Sequence, residues 1–380
     1  MMERDNTAPH WWQNTAAHSR RRLPATQQDG VHINLADRTL INFSSNDYLG
    51  LRQHASVIST ATHYITKHGL GSGASRYISG DDPAFAQLER DCAEWKGAQA
   101  CLLVGSGMLG NIGLLQALAT RHSDIFADRL NHASLLDGAR LSRAHLHRYA
   151  HRDMAALESL LQRSSSDQRI IVSDGVFSMD GDEADVGALI ALCERYDAWL
   201  VLDDAHGNGC IGAQGAGLTA EAGVQGHSRL IECGTFGKAL GGYGAFMVAS
   251  TAVIEGLIQR LRTAIYSTAL PPAMAKAMSV ALEALRKTGL RQQLQGNIQS
   301  FLALNQDLPL LPSRTPIQPL WMGTDEAALH ASAQLRDAGF FVPAIRPPTV
   351  PQGASRLRIT LSALHTAAHI AALSEALHKL

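Results

Sequence analysis

Short apolar runs alternate, along most of the chain, with stretches whose apolar positions recur every three or four residues. Each short run is continuously apolar, which indicates a strand buried on both faces. The intervening stretches have helical spacing; one follows Asp185, a predicted N-cap, and has apolar residues at 186, 189, 190 and 193. The pattern predicts an α/β fold with a mainly parallel, seven-stranded sheet covered by helices on both faces. The predicted strands are 100–104, 123–127, 146–149, 169–173, 199–203, 230–233 and 245–248.

The two ends of the chain have a different texture. Residues 1 to about 40 are polar and irregular, and the long apolar runs stop near residue 285. The pattern therefore predicts an N-terminal segment (1–45), a large domain (46–285) and a smaller α+β C-terminal domain (286–380). In the last of these, strands at 315–322, 340–342 and 357–361 are predicted to form a second sheet, with helices at 291–299, 325–337 and 366–380.

Composition excludes several classes of partner. Hydrophobic residues make up 46% of the 380 residues, enough for a sizeable core, and 33 Lys+Arg nearly balance 34 Asp+Glu. That balance gives no electrostatic reason to expect binding to nucleic acid or to a membrane. No apolar run is long enough to span a bilayer, and the first residues lack a signal-peptide core. The five cysteines and 17 histidines show no disulfide or metal-ligand spacing, so we expect a reduced, cytoplasmic protein without a metal.

Candidate chemistry lies where predicted strands end. The strand at 100–104 runs into a glycine turn, GSGMLGN (105–111), and then a helix, an arrangement that can cradle a phosphate. The strand at 199–203 ends in Asp203 and is followed by His206, and the strand at 230–233 is followed by Thr235 and Lys238. Taken singly, Lys238 is better explained as a loop lysine and the histidines as structural. Since ligands of parallel sheets gather at the carboxyl ends of strands, we expect these groups to share one site.

Together these groups suit pyridoxal phosphate. Its aldehyde needs a lysine, its ring nitrogen needs a carboxylate to stay protonated, and its phosphate needs backbone donors and hydroxyls. A second interpretation is a nucleotide-binding oxidoreductase that uses the glycine turn at 105–110. That interpretation leaves Lys238, Asp203 and His206 without a role.

Long strings of the sequence carry a family resemblance. The chain resembles the α-oxoamine synthases, pyridoxal-phosphate enzymes of the aspartate-aminotransferase fold type I, over nearly its whole length. The strings are NFSSNDYLG (42–50), NHAS (131–134), GVFSMDGD (175–182), DDAHG (203–207), GTFGKA (234–239) and YSTALPP (266–272).

The resemblance implies a role for individual residues and a homodimer with shared sites. Lys238 would bind the cofactor's aldehyde and act as the acid and base, Asp203 would hold the ring nitrogen, and His132 would stack on the ring. The remaining implied contacts are Ser178 and His206 with the ring oxygen, Gly107, Met108 and Thr235 with the phosphate, Ser267 and Thr268 with the phosphate in the neighbouring subunit, Arg358 and Asn46 with the amino-acid carboxylate, and Arg20, Thr349 and Arg346 with substrate.

Two further strings narrow the resemblance within the family. TPIQPL (315–320) and AIRPPTVP (344–351) are similar to the members that condense L-alanine with a pimeloyl thioester in biotin biosynthesis. Sister enzymes that use glycine, such as glycine C-acetyltransferase, usually lack Ile-Arg-Pro-Pro. The thioester could be carried by coenzyme A or by an acyl-carrier protein. Two positions depart from the family pattern: Met108 usually is aromatic, and Asp174 usually is Glu.

Overall fold

The strands and helices follow the predicted alternation closely. The structure, a computed structural model, describes residues 26–36 and 38–380. The strands are β1 (Thr26–Asp29), β2 (His32–Leu35), β3 (Arg38–Asn42), β4 (Ala100–Val104), β5 (Asp124–Asp128), β6 (His145–Tyr149), β7 (Arg169–Asp174), β8 (Ala198–Asp203), β9 (Leu230–Thr235), β10 (Ala245–Ala249), β11 (Ile317–Gly323), β12 (Phe340–Phe341), β13 (Ala344–Ile345) and β14 (Ser355–Thr360). The helices are α1 (Ala55–His68), α2 (Pro83–Lys96), α3 (Gly107–Leu118), α4 (Ala133–Leu141), α5 (Met154–Arg163), α6 (Val186–Arg195), α7 (Leu218–Glu221), α8 (Thr251–Arg260), α9 (Arg262–Ile265), α10 (Pro272–Lys287), α11 (Leu290–Leu304), α12 (Asp325–Asp337) and α13 (Ala367–Leu377).

A seven-stranded sheet forms the centre of the molecule, in the order β4-β10-β9-β8-β7-β5-β6. The seven predicted strands are its members, so the predicted sheet is confirmed. β10 runs antiparallel to both of its neighbours, and the other pairs are parallel. One face packs on α3, α4 and α8, and the other packs on α2, α5, α6 and α10. The strands are nearly all buried because helices cover both faces.

The strand pairing brings the candidate residues to one edge of this sheet. Thr235 at the end of β9 pairs with Ala245, which also pairs with Val104 at the end of β4. Asp203 at the end of β8 pairs with Asp174 at the end of β7. The glycine turn after β4 and the polar ends of β7, β8 and β9 therefore meet at the carboxyl edge, where ligands of such sheets bind.

Two smaller sheets correct the predictions for the ends of the chain. β11, β14 and β13 form an antiparallel sheet, as expected, but β12 does not join it. β12 pairs in parallel with β3, and β3 continues into β2 and β1. Residues 26–42 are thus largely strand rather than irregular, because neighbouring strands rather than apolar alternation hold them. The domain boundary near residue 285 stays a prediction.

Two further expectations concern the cysteines and membranes. The five cysteines all lie in the described part of the chain, where each is buried and none is paired. Across residues 26–36 and 38–380, no helix has both the length and the apolar character needed to cross a membrane.

Candidate active site

The glycine turn after β4 becomes the N-terminus of α3. Ser106 caps the helix by accepting a hydrogen bond from Leu109 N at 3.3 Å. The first turn of a helix leaves backbone N–H groups without intrahelical partners, and here they belong to Gly107 and Met108. A Cβ built on Gly107 would meet nothing within 4 Å, so the space in front of these donors is open. Together with the helix dipole, the turn can bind a phosphate.

Lys238 lies in the loop that follows β9. Burial lowers the pKa of its amine to about 8, although the carboxylates of Asp203 and Asp174 act in the opposite direction. A lysine with this pKa is substantially neutral near physiological pH. It can therefore act as a nucleophile toward an aldehyde.

Asp203 is buried and belongs to a chain of hydrogen bonds that reaches His132. Its Oδ2 accepts from Asn111 Nδ2 at 2.6 Å, and its Oδ1 accepts from Ala205 N at 3.1 Å. The second proton of Asn111 Nδ2 goes to Ser134 Oγ at 2.9 Å, and Ser134 Oγ lies 2.7 Å from His132 Nδ1. Because the carboxylate can only accept, Asn111 must present its NH2, and Ser134 is left to donate to His132.

This arrangement fixes the tautomer of His132. Ser134 also donates its backbone N–H to His132 Nδ1 at 3.3 Å, which makes Nδ1 an acceptor. A neutral imidazole with Nδ1 as acceptor carries its proton on Nε2. Sequence reasoning missed Asn111, which stands in the predicted phosphate turn but acts on Asp203 from the buried face of α3.

Asp174 supports His132 through the backbone. Its Oδ2 accepts from His132 N at 2.6 Å, and Asn131 Oδ1 accepts from Asp174 N at 3.1 Å. Burial and the neighbouring charge of Asp203 raise the pKa of Asp174 well above its ordinary value. The shorter side chain at this position thus reaches the loop that carries His132.

His206 follows β8 and is held by a buried tyrosine. Tyr48 Oη lies 2.6 Å from His206 Nδ1 and 3.3 Å from Asn46 Oδ1. Burial, followed by the positive charge of Lys238, lowers the pKa of His206 well below its ordinary value, so the imidazole is neutral at physiological pH. Tyr48 occupies Nδ1, which leaves Nε2 for a ligand. The sequence placed Tyr48 in a quoted string but gave it no role.

Two arginines on the same face of β14 differ in their partners. Arg356 Nη1 pairs with Asp180 Oδ1 at 2.5 Å. Arg358 is buried too, but its hydrogen-bond partners in the described part of the chain are neutral oxygens. They are Ser178 O at 2.6 Å, Thr360 Oγ1 at 3.1 Å and Asn46 Oδ1 at 3.3 Å. A buried guanidinium without a carboxylate beside it is suited to bind the carboxylate of a ligand.

A groove of about 620 Å³ opens beside His132 and Ser178. Thr349 lies on its far wall with Val350, so the structure brings this predicted substrate residue next to the ring-stacking histidine. Arg129 lines the groove as well, and sequence reasoning did not single it out.

Several predicted residues lie away from this cluster or outside the described chain. Thr235 accepts from Gly237 N through Oγ1 at 3.1 Å, beside the glycine turn. Ser267 and Thr268 follow α9, and Thr268 is exposed. Arg346 follows β13, and its carbonyl accepts from Thr349 N at 3.0 Å. Arg20 lies outside the described residues.

Pyridoxal phosphate fits the residues present. The open space at Gly107 and the free N–H groups of α3 suit its phosphate, and the low pKa of Lys238 suits its aldehyde. Asp203 is buried, yet the donors that the described residues give it are both neutral. A buried carboxylate requires a cationic or strongly donating partner, and a protonated pyridine nitrogen provides one.

Comparisons with known proteins agree with this site. Residues 38–377 match the family model for aminotransferase class I and II. The chain is 44% identical over 365 residues to an 8-amino-7-oxononanoate synthase of Saccharophagus degradans, covering 94% of this chain and 91% of that protein. It is 46% identical over 349 residues to an 8-amino-7-oxononanoate synthase of an Azoarcus species, covering 90% and 88%.

Solved structures give the same picture. The 8-amino-7-oxononanoate synthase of Francisella tularensis superposes with a TM-score of 0.79 at 29% identity, covering 90% of this chain and 97% of that one. A serine palmitoyltransferase of S. paucimobilis superposes with a TM-score of 0.89 at 24% identity, covering 94% and 91%, which shows the shared fold alone. The chain therefore belongs to the aminotransferase class I and II family of pyridoxal-phosphate enzymes.

Proposed function

We propose that this protein condenses L-alanine with a pimeloyl thioester, releasing CO2 and the free thiol and yielding 8-amino-7-oxononanoate for biotin biosynthesis. Relatives that are 44–46% identical over about nine-tenths of their length bear the name of that enzyme. The observation that carries the proposal is the buried Arg358, whose neutral partners leave it to bind an amino-acid carboxylate beside Lys238.

Substrate binding and orientation fall to four side chains. Arg358 and Asn46 grip the carboxylate of alanine, which fixes the direction of its Cα–H bond. When bound, pyridoxal phosphate supplies an electrophilic aldehyde and a protonated ring that takes up electrons from the α-carbon. Asp203 keeps the ring nitrogen protonated, and His206 donates from Nε2 to the ring oxygen.

Proton transfer falls to Lys238. Its neutral amine removes the α-proton of alanine, and the α-carbon then attacks the thioester carbonyl while the thiol leaves. After CO2 is lost, the ammonium of Lys238 returns a proton to the same carbon. An amine with a pKa near 8 is well matched to both transfers.

Mass spectrometry of the product tests the reaction. The holoenzyme is supplied with pimeloyl thioester and either alanine or glycine. We expect the mass of 8-amino-7-oxononanoate from alanine and much less product from glycine. Efficient turnover of glycine with acetyl-CoA would instead assign the chain to a sister enzyme, and a nicotinamide-dependent reaction without condensation would point to an oxidoreductase.

The active form is proposed to be a homodimer. Three large apolar side chains are exposed near the predicted inter-subunit residues: Leu70 (74%), Ile78 (83%) and Tyr266 (73%). Soluble monomers seldom expose such a group of residues, so a second copy is the occupant that we propose. It would bring Ser267 and Thr268 to the neighbour's cofactor phosphate.

Sedimentation measures this directly. We expect a dimer for the wild-type protein and dissociation with loss of activity for Ile78→Asp. A monomeric wild-type protein at full activity would refute the shared site. With its five cysteines unpaired, we propose that the protein works in the reducing cytoplasm.

A further inference from the structure

Three arginines lie together at the outer end of the groove. Arg129 lines the groove, and Arg148, the penultimate residue of β6, donates from Nη2 to the carbonyl of Arg129. Arg140 lies in the last turn of α4, four residues after the groove residue Leu136 and hence on the same side of the helix. We call Arg129, Arg140 and Arg148 the arginine cluster.

The arginine cluster is short of anions. Burial, followed by the positive charge of Arg140, lowers the pKa of Arg148, and Arg129 acts in the same direction. The nearby anions are committed in part: Asp137 makes an exposed pair with Arg140 at 3.3 Å, and Asp128 lies 3.0 Å from His151 Nδ1. Neighbouring cations that repel one another favour an anionic ligand.

One atom of the cluster lacks an acceptor. Arg148 Nε is buried and finds no hydrogen-bond partner among residues 26–36 and 38–380. Buried N–H groups of a guanidinium are normally satisfied, so this donor is available to a ligand oxygen. Planar guanidinium groups bind phosphate oxygens through paired N–H donors, which a lysine does not offer.

The position of the cluster relates it to the reacting groups. α4 is capped by His132, and Arg140 comes eight residues later, so the two are separated by about 12 Å along the helix axis. Leu130, Leu136 and Val350 line the intervening groove. An extended chain whose reactive end lies at His132 can therefore follow an apolar path and end at the arginine cluster.

We propose that the arginine cluster binds the phosphate at the far end of the phosphopantetheine arm that carries the acyl group. This proposal rests on the proposed function, because it assumes a thioester substrate. Coenzyme A and acyl-carrier protein share this arm: the acyl group is on its sulfur and a phosphate is at its other end. The cluster thus recognises the part that the two carriers have in common.

Steady-state kinetics of Arg140→Gln and Arg148→Gln test the assignment with three thioesters of pimelate. Those of coenzyme A and acyl-carrier protein contain the phosphate, and that of N-acetylcysteamine does not. We expect each variant to raise the KM about tenfold for the two phosphate-bearing thioesters, with kcat unchanged and no change for the truncated one. Arg163→Gln is the matched control, since Arg163 is exposed at the end of α5, on the other face of the sheet.

Other results would overturn the proposal. They are an unchanged KM for both carriers, an equal rise for the truncated thioester, or a change confined to one carrier, which would assign the arginines to the nucleotide or to the carrier's protein surface. Calorimetry with phosphopantetheine and pantetheine separates this proposal from the reaction. If the wild type prefers phosphopantetheine, Arg148→Gln loses that preference, and no thioester is turned over, the cluster stands and the proposed function fails.

Discussion

Asn111 offers a sharp test of the site because both protons of its side-chain amide are used there. Its Nδ2 donates to Asp203 Oδ2 at 2.6 Å and to Ser134 Oγ at 2.9 Å. Asn111→Leu keeps a similar volume but removes both donors. A hydrogen bond to a charged group contributes about 1.5–3 kcal/mol, and about 1.4 kcal/mol corresponds to a tenfold change in rate. We expect kcat/KM to fall about 10- to 150-fold if Asp203 loses that support in the transition state.

The chain offers a close control in Asn305. It is fully buried, its Nδ2 donates to Phe301 O at 2.7 Å and to Ser374 Oγ at 2.8 Å, and it lies between α11 and α13. Asn305→Leu should lower the Tm about as much as Asn111→Leu does, because each variant removes two buried hydrogen bonds, yet leave kcat/KM near the wild-type value.

The assays are product formation, thermal unfolding and the visible absorption of the bound cofactor. We expect the absorption of Asn111→Leu to shift, since Asp203 would hold the ring nitrogen less firmly, while Asn305→Leu keeps the wild-type spectrum. A kcat/KM within twofold of the wild type, with an unchanged spectrum, would show that Asn111 supports the fold rather than Asp203.

Three further variants probe other parts of the site. Lys238→Ala should lose turnover and the visible absorption, and cofactor loading of the wild-type apoprotein should accelerate as pH rises through about 8, because the neutral amine reacts. Arg358→Lys should raise the KM for alanine about 10- to 100-fold through loss of paired donors, with the thioester KM unchanged; equal rises in both would argue against a carboxylate site. For His151, burial opposes the charge, but hydrogen bonds to Asp128 and Asp182 outweigh it and raise the pKa to about 9. This stabilisation is complete below the unfolded pKa of about 6.5 and is lost as pH rises through about 9, so the Tm of the wild type should fall across that window more than that of His151→Gln; parallel curves would disprove the contribution.

The residues that could be predicted from sequence are those that directly follow a buried strand. Asp203 and Lys238 come after continuous apolar runs, and parallel strand ends must meet at one edge. Asn111 and Tyr48 could not be found in this way, because one stands on a helix and the other in a turn. Their importance depends on approaches of 2.6 Å to residues 92 and 158 positions away, which no local pattern encodes.

Strand direction was partly within reach of the sequence. The loop between β9 and β10 spans residues 236–244, which is too short for a parallel crossover, so the antiparallel direction of β10 follows from loop length. The N-terminal strands are different. β1 reads Thr-Gln-Gln-Asp and is exposed throughout, so it lacks the apolar signal that marks a strand.

The pairing of β3 with β12 has a consequence for how the molecule is assembled. Ile41 N bonds to Gly339 O, and Thr360 N bonds to Phe43 O, contacts that join residues about 300 positions apart. Closing so long a loop is slow, and a ribosome releases the partner strand only near the end of synthesis. Residues 38–43 must therefore wait, unpaired, while the central sheet folds. A nascent chain stalled before residue 339 should expose this segment to proteases, which the released protein protects.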